Sequence, residues 1–334
     1  MGWFSKTWFS ELVGFKEDYD SVRQNLFVDG EYLESRSNDL RLRFGSLETP
    51  SLAELRASTA GILAEQRSPL QVKEVIANVQ KLHQDPKHNG ALFQVASQFN
   101  LLEMVSPGVS PEMGVGIYEN DRTQGPACAI ACGAATIYRN YFADVDGQVG
   151  QSEEKQIDCL KDMGAVLGND GGSLWDMRNG YALATEYGLE RISETIAQSS
   201  EEGIDQLRSH LRIGTQWDAG VTLGNSGNVV SQAFCSALPV AYSQIYADSW
   251  EPFARLVLEA SYEATFHAAL LNQQNTGSPE LFLTLLGGGA FGNRMDWIVD
   301  AIERALNLMK ESGIKVKIVS YHSPTPEIQG LLTG

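Results

Sequence analysis

Apolar and polar positions change period several times along the chain, and each change marks an element. The first 45 residues open with Trp3, Phe4, Trp8, Phe9, Leu12, Val13 and Phe15, which share one face of a helix. Polar, strand-like text (YLESRSNDLRLRF) follows. Thr49-Pro50-Ser51 ahead of LAELRA is a helix start, because proline fits the first turn and serine caps it. Residues 71–82 are expected as a second helix and 87–90 (KHNG) as a turn. Residues 91–97 (ALFQVAS) read as a buried strand that runs into QFNLLE. A Gly/Pro-rich loop covers 106–121, and 124–141 is an apolar helix of small residues. Residues 144–181 are Gly- and Asp-rich and predict irregular structure, and 192–211 predict a helix. IGTQWDAGVTL and NVVSQAFCSAL are strands joined by the hairpin-type turn GNSG, and 255–271 is helical.

The pattern is clearest near the end. Residues 281–286 (LFLTLL) are wholly apolar, as expected of a strand covered on both faces. The turn Gly287-Gly288-Gly289-Ala290-Phe291-Gly292-Asn293 comes next. Trp297, Ile298, Ala301, Ile302, Ala305, Leu306 and Met309 then keep a helical stripe. Gly313 ends that helix and IKVKIVSY returns as a strand, which makes a βαβ unit with a right-handed crossover. Ligands of such sheets sit beyond the carboxyl ends of the strands. Glycines there let the backbone approach a ligand, and their N–H groups, with the helix N-terminus, suit phosphate oxygens. The turn is not a Walker A loop, since no Lys-Ser/Thr follows, and its spacing departs from GxGxxG. The plain alternative is a tight strand-to-helix turn with no ligand.

Composition narrows the function. The chain has 334 residues, 43% of them hydrophobic and 20% charged, and a chain this long buries a full core without disulfides or metal. The formal charge is −17 and no basic run occurs, which argues against a nucleic-acid partner. An anionic ligand would need local donors, since the overall field opposes it. Cys128, Cys132, Cys159 and Cys235 include no CxxC pair, and are expected to be reduced, structural thiols of a cytoplasmic protein. No stretch approaches the roughly 20 apolar residues of a membrane span. The N-terminus lacks the basic region and cleavage site of a signal peptide, and Lys6 stands where a myristoylation signal needs Ser or Thr. The aromatic N-terminal helix is expected to pack on the body of the protein. Nothing in the pattern specifies an oligomeric state.

GGGAFGN after an apolar strand resembles the second phosphate loop of macrodomains, in particular the poly(ADP-ribose) glycohydrolase-like branch, where the loop reads close to GCGAFGN. LEASYEATFHAALL is similar to that branch's helix before the last-but-one strand, and NVVSQAFCSALP to the strand and loop upstream of it. ALFQVASQFNLLE is similar to the strand ending in the family's Asn, here Asn100. The resemblance covers residues 91–320. It implies a three-layer α/β/α fold with a mixed central sheet. Residues 91–330 would be the ADP-ribose-binding catalytic domain, and 1–90 a mostly helical extension packed on the core. It further implies that Gly287, Gly288, Gly289, Ala290, Phe291, Gly292 and Asn293 cradle the diphosphate, with Phe291 on the distal ribose and Asn100 on its hydroxyls. The first, catalytic loop would run over 114–125 and include Thr123, Gln124 and Gly125, and Glu48 in FGSLET would touch adenine. The chain departs from the family at one point. The family's first loop carries GGG and then a Glu-Glu pair, whereas here it reads GVGIYENDRTQGPACAI, with Thr123-Gln124-Gly125 at the matching place. That turns the expectation from poly(ADP-ribose) cleavage toward the bacterial-effector branch that removes ADP-ribose from arginine.

Hydrolysis of a glycosidic bond at ribose C1″ needs a carboxylate to activate water or stabilise positive charge, and an acid for the leaving group. Asp121, in ENDRTQGP, is the first candidate, and helix capping is its structural alternative. Glu119 in the same loop reads as solvated. Asp218, beside Trp217, is the second candidate, because an indole desolvates a neighbouring carboxylate. Asp170 and Asp176 come third, and Asx-turn formation accounts for the former. His83, His88, His210, His267 and His322 do not cluster. No zinc spacing and no GxSxG occur. The expected protein is an ADP-ribosyl hydrolase with arginine linkage favoured, needing no metal or cofactor, with ADP-ribose or ADP-ribosylated protein as its ligand. The alternatives are a non-catalytic ADP-ribose reader and an interaction protein that does not bind ADP-ribose at all.

Overall fold

A computed structural model describes residues 7–65 and 68–333. Seven strands form the central sheet: β1 (Ser46–Glu48), β2 (Gln71–Ile76), β3 (Leu92–Ala96), β4 (Gly214–Gly220), β5 (Val229–Cys235), β6 (Glu280–Leu283) and β7 (Lys315–Ser320). Their spatial order is β1-β4-β5-β3-β6-β7-β2. The run β5-β3-β6-β7-β2 is parallel throughout. Strand β4 is antiparallel to both β5 and β1, so the sheet is mixed. The flanking helices are α1 (Leu52–Glu65), α2 (Val79–Gln84), α3 (Gln124–Ala131), α4 (Gly133–Tyr141), α5 (Glu186–Gln198), α6 (Glu201–Ser209), α7 (Ala247–Thr276) and α8 (Met295–Leu308). Helix α7 lies on β3, β5 and β6 and gathers α1, α5, α6 and α8 around it, while α3 and α4 pack on β3 and β4 with α2 beside α3. The result is the expected three-layer α/β/α architecture.

The core follows from residue type. β3 is buried on both faces: Leu92, Phe93 and Val95 are wholly buried, and the amide of Gln94 is satisfied by Thr265 and Thr284. Phe93 stacks on its register partner Phe282 of β6 at 4.4 Å and on His83 of α2 at 3.8 Å, which ties α2 to the sheet. Helix α7 is largely buried, and its charged residues Glu251, Arg255, Glu259 and Glu263 are held in ion pairs. All four cysteines are buried and unpaired by disulfides. No helix among the described residues is long and apolar enough to cross a membrane.

The structure corrects four expectations. Residues 71–82 are not one helix. Gln71–Ile76 is edge strand β2, with β-branched Val72, Val75 and Ile76 paired along β7, and Asn78 caps a separate α2 through Gln80 and Lys81 N–H. The first ninety residues are not a mostly helical extension, because they supply both edge strands, β1 and β2, and an antiparallel meander over Leu26–Asp29, Tyr32–Ser35 and Arg41–Arg43. The helix expected over 124–141 breaks at Cys132. The backbone N–H of Thr222 takes the Ala131 carbonyl at 2.9 Å and its hydroxyl takes the Gly133 N–H at 2.9 Å, which diverts the helical ladder. The helix expected over 192–211 is likewise two, because the Ser200 hydroxyl caps α6 on Gly203. Of the aromatic N-terminal face, Trp3 and Phe4 lie outside the described residues, as does Lys6. The helix Trp8–Val13 forms, and it buries Phe9 and Val13 in the body of the protein.

Candidate active site

The carboxyl ends of the parallel strands β3, β6, β7 and β2 open on one cleft of about 800 Å³. That is the place where ligands of such sheets bind, and the size suits a ligand larger than a mononucleoside. Its centre is the turn after β6. The buried Tyr262 hydroxyl of α7 accepts from Leu286 N–H at 2.9 Å and donates to the Thr284 carbonyl at 2.8 Å, which fixes the entry to the turn. Gly287 has φ +75°, and a Cβ there would stand 2.4 Å from that of Ala237, so only glycine fits. The turn closes on itself through Asn293 N–H to the Gly287 carbonyl and Gly292 N–H to that of Gly289, both at 3.0 Å. Gly287, Gly289, Ala290 and Phe291 line the cleft. The N–H groups of Gly289, Ala290 and Phe291 find no partner among the described residues, which leaves consecutive donors just before α8. Phe291 lies against Tyr181 and Tyr242, with centroids at 5.3 and 5.6 Å.

Gly288, Gly292 and Asn293, expected in the same cradle, lie outside the cleft lining. Asn293 is buried and donates to the Leu238 carbonyl at 2.8 Å, so it holds the shape of the turn. Asn100 is also outside it. Its amide donates to Gln156 at 2.8 Å and its oxygen accepts from Leu102 N–H at 3.1 Å, which commits both ends to the protein.

The first loop divides in two. Its glycine part does not reach the cleft, because the Glu17 carboxylate of the N-terminal segment takes the Val115 and Gly116 N–H groups at 2.8 and 2.6 Å and the Tyr141 hydroxyl at 2.7 Å. Burial pushes the Glu17 carboxyl above its usual range, and those three hydrogen bonds only partly offset it. A Cβ on Gly114 or Gly116 would stand 2.6 Å from that carboxyl group. Glu17→Ala would strand three buried donors. It is expected to lower the urea-unfolding free energy by about 2–4 kcal/mol, and an unchanged midpoint would contradict that role.

The second part of the loop, Glu119 to Gly125, does line the cleft. Trp8 N–H donates to Glu119 at 3.1 Å, so the N-terminal helix forms part of the wall. Asp121 is half-buried, and its carboxylate accepts from Thr123 N–H at 2.8 Å at the start of α3. Arg122 is exposed at the cleft and forms no ion pair among the described residues. Gln124 spends its amide on the β3 backbone, accepting from Ala96 N–H at 3.0 Å and donating to the Gln94 carbonyl at 2.8 Å. Gly125 packs against the end of β3, where a Cβ would meet the Ala96 carbonyl at 2.0 Å.

Asp218 is far from this arrangement in the fold. Strand β4 runs against β5, so its last residues lie beside the amino ends of β5 and β3, whereas the cleft is at their carboxyl ends. Asp218 has φ +53° within a register shift of β4 and faces Arg43 at 3.5 Å. Glu48 also lies outside the cleft and accepts from the Trp217 indole at 2.9 Å. Asp170 and Asp176 do not line it either. No group of three or more potential metal ligands occurs among the described residues.

Sequence reasoning missed Glu103. The chain reverses after β3: Gln98 N–H donates to the Leu102 carbonyl at 3.0 Å, and Leu101 takes φ +64°. Glu103 is thereby carried back to the cleft wall, only 3% exposed. Neither of its carboxyl oxygens has a hydrogen-bond partner among the described residues, and Oε1 is fully enclosed. Burial pushes this carboxyl up to about 8, although the buried Arg139 guanidinium opposes the shift. The one local sign in the sequence was a carboxylate inside an otherwise apolar run, NLLEMV.

No protein-family model matches the chain, and no curated protein matches it. Among solved structures, it is similar to poly(ADP-ribose) glycohydrolase from Deinococcus radiodurans in complex with ADP-ribose, at 11% identity over 95% of each chain, with a TM-score of 0.42. It is also similar to poly(ADP-ribose) glycohydrolase from Thermomonospora curvata, at 10% identity over 94% of this chain and 95% of that one, with a TM-score of 0.43.

Proposed function

We infer that this chain is a cytoplasmic ADP-ribosyl hydrolase, which binds ADP-ribose across the cleft and releases it from modified protein side chains, arginine first among them. One observation carries the reading. Three consecutive backbone donors without partners stand at the carboxyl end of a parallel strand and the start of a helix, within a cleft of about 800 Å³. In a chain of charge −17 a diphosphate needs such local donors, and Arg122 lines the same cleft with a cation. Phe291, with Tyr181 and Tyr242, offers an apolar surface to a ribose. Asp121, at the same cleft, accepts the proton of the attacking water. Asp121 and Glu119 also give the mouth an acidic rim, which supports a cationic acceptor such as arginine. Four buried thiols, each with its pKa raised by burial, suit a reducing compartment.

The expected result of a calorimetric titration is ADP-ribose binding with a Kd on the order of micromolar, about −8 kcal/mol. Absence of any binding heat would refute the reading. Release of ADP-ribose from arginine-modified protein, against carboxylate-modified protein and poly(ADP-ribose), then decides the linkage. The missing Glu-Glu pair favours a second reading, a reader that binds without turnover. It predicts the same titration with no release from any substrate.

A further inference from the structure

We propose that Glu103 is the proton donor of this hydrolase, supplying the leaving group's proton from a buried, neutral carboxyl beside the glycine at residue 125. The proposal rests on the ADP-ribose reading of the cleft. A Cβ built on Gly125 would stand 2.3 Å from Glu103 Oε2, so the carboxyl fills the space that a side chain at 125 would take. Its oxygens are unpartnered, whereas a structural carboxylate at this depth is paired. Arg139 forms no ion pair with Glu103, although its charge favours the ionised form. Its Nε goes to the Leu101 carbonyl at 3.1 Å and one Nη to the Thr136 hydroxyl at 3.1 Å, its guanidinium stacks on Phe234 at 3.8 Å, and the other Nη has no partner among the described residues. The other titratable groups facing Glu103 are Tyr118, whose hydroxyl accepts from Glu103 N–H at 2.9 Å, together with Asp121, Cys128 and Tyr181. Of these, Asp121 brings a negative charge, which favours the neutral form of Glu103.

The step balances without any further reactant. The bond from C1″ to the leaving atom breaks with its electron pair on that atom, which takes the Glu103 proton. A water oxygen bonds to C1″ and gives its proton to Asp121, and solvent returns that proton to Glu103. Such a donor serves strongly basic leaving groups, namely the arginine guanidinium, which would otherwise depart as free guanidine, and an alcohol, which would otherwise depart as alkoxide. It contributes little where the leaving group is already a stable anion, as with carboxylate esters or 4-nitrophenolate.

The test uses the full chain and Glu103→Gln, which keeps shape and removes the proton. Two substrates are compared, arginine-linked ADP-ribose and the 4-nitrophenyl glycoside of ADP-ribose. The variant is expected to bind ADP-ribose within about threefold of wild type. It should lose about 100-fold or more in kcat on the arginine substrate and keep most of its activity on the nitrophenyl one. Wild-type kcat on the arginine substrate should fall above about pH 8, as Glu103 gives up its proton, and the nitrophenyl rate should not. Equal losses on both substrates, no loss on either, or a wild type that binds ADP-ribose without turnover each overturn the proposal. A wild type that does not bind ADP-ribose refutes the reading of the cleft itself, a separate and earlier failure.

Discussion

Gly289→Glu should abolish ADP-ribose binding while leaving the fold intact. Gly289 is exposed at the centre of the cleft, its φ is not positive, and a Cβ there meets nothing within 4 Å. The substitution therefore adds a carboxylate among the unpartnered N–H groups without a steric conflict. A like charge against a diphosphate costs several kcal/mol, so the affinity should fall roughly a thousandfold, below calorimetric detection. Gly289→Ala is the control and should bind as wild type. The thermal midpoints of all three proteins should agree. Binding retained by Gly289→Glu would place the diphosphate elsewhere. Gly287 is unsuited to this test, because its positive φ and the contact with Ala237 make any side chain there a folding defect.

The second large effect is on stability. Glu263 of α7, 3% exposed, accepts from Arg56 of α1 at 2.6 Å and from Arg304 of α8 at 2.6 Å, with His267 at 3.7 Å. Asp205 of α6 closes the network through Arg56 at 2.7 and 2.8 Å. Burial pushes the Glu263 carboxyl up, but nearby His267 and the Arg56 and Arg304 guanidinium groups outweigh it and hold the carboxyl far below its usual range. Glu263→Ala leaves two arginines facing an emptied buried site and should cost about 3–5 kcal/mol of unfolding free energy in urea. The sign of the pH dependence follows. A depressed carboxyl contributes its stability above the unfolded value of 4.5 and loses it as the pH falls below that. Wild type should therefore lose stability from pH 5 to pH 3 more steeply than Glu263→Ala. Parallel curves would show that the network contributes nothing to acid sensitivity.

The helical N-terminal face, the buried strand β3, the hairpin of β4 and β5, and the closing βαβ unit with its glycine turn were legible in the residues alone. Each leaves a local mark in residue type, even where, as for β3, its partners are distant in the chain. Burial on both faces forces an uninterrupted apolar run, and a sharp strand-to-helix reversal forces glycine. Local pattern was ambiguous for residues 71–82, where Val72, Val75, Val79 and Leu82 satisfy a helical period while the chain forms an edge strand. β2 is a strand because β7 offers it a partner, and that pairing spans about 240 residues of sequence.

The apolar periods, the glycine turn and the acidic charge were thus determined by the sequence itself, and with them the need for local anion donors, while the three-layer class was implied by the resemblance. Tertiary structure alone decided which carboxylates share the cleft. Asp218 is excluded because its antiparallel strand ends beside the amino ends of its neighbours, away from the cleft, and Asn100 because its amide is spent on Gln156. Glu17 closes the glycine part of the first loop from outside it, and Glu103 enters the cleft wall because the chain reverses after β3. A side chain's charge, depth and partners are set by groups distant in sequence, so the chemistry of a site is a property of the packed chain.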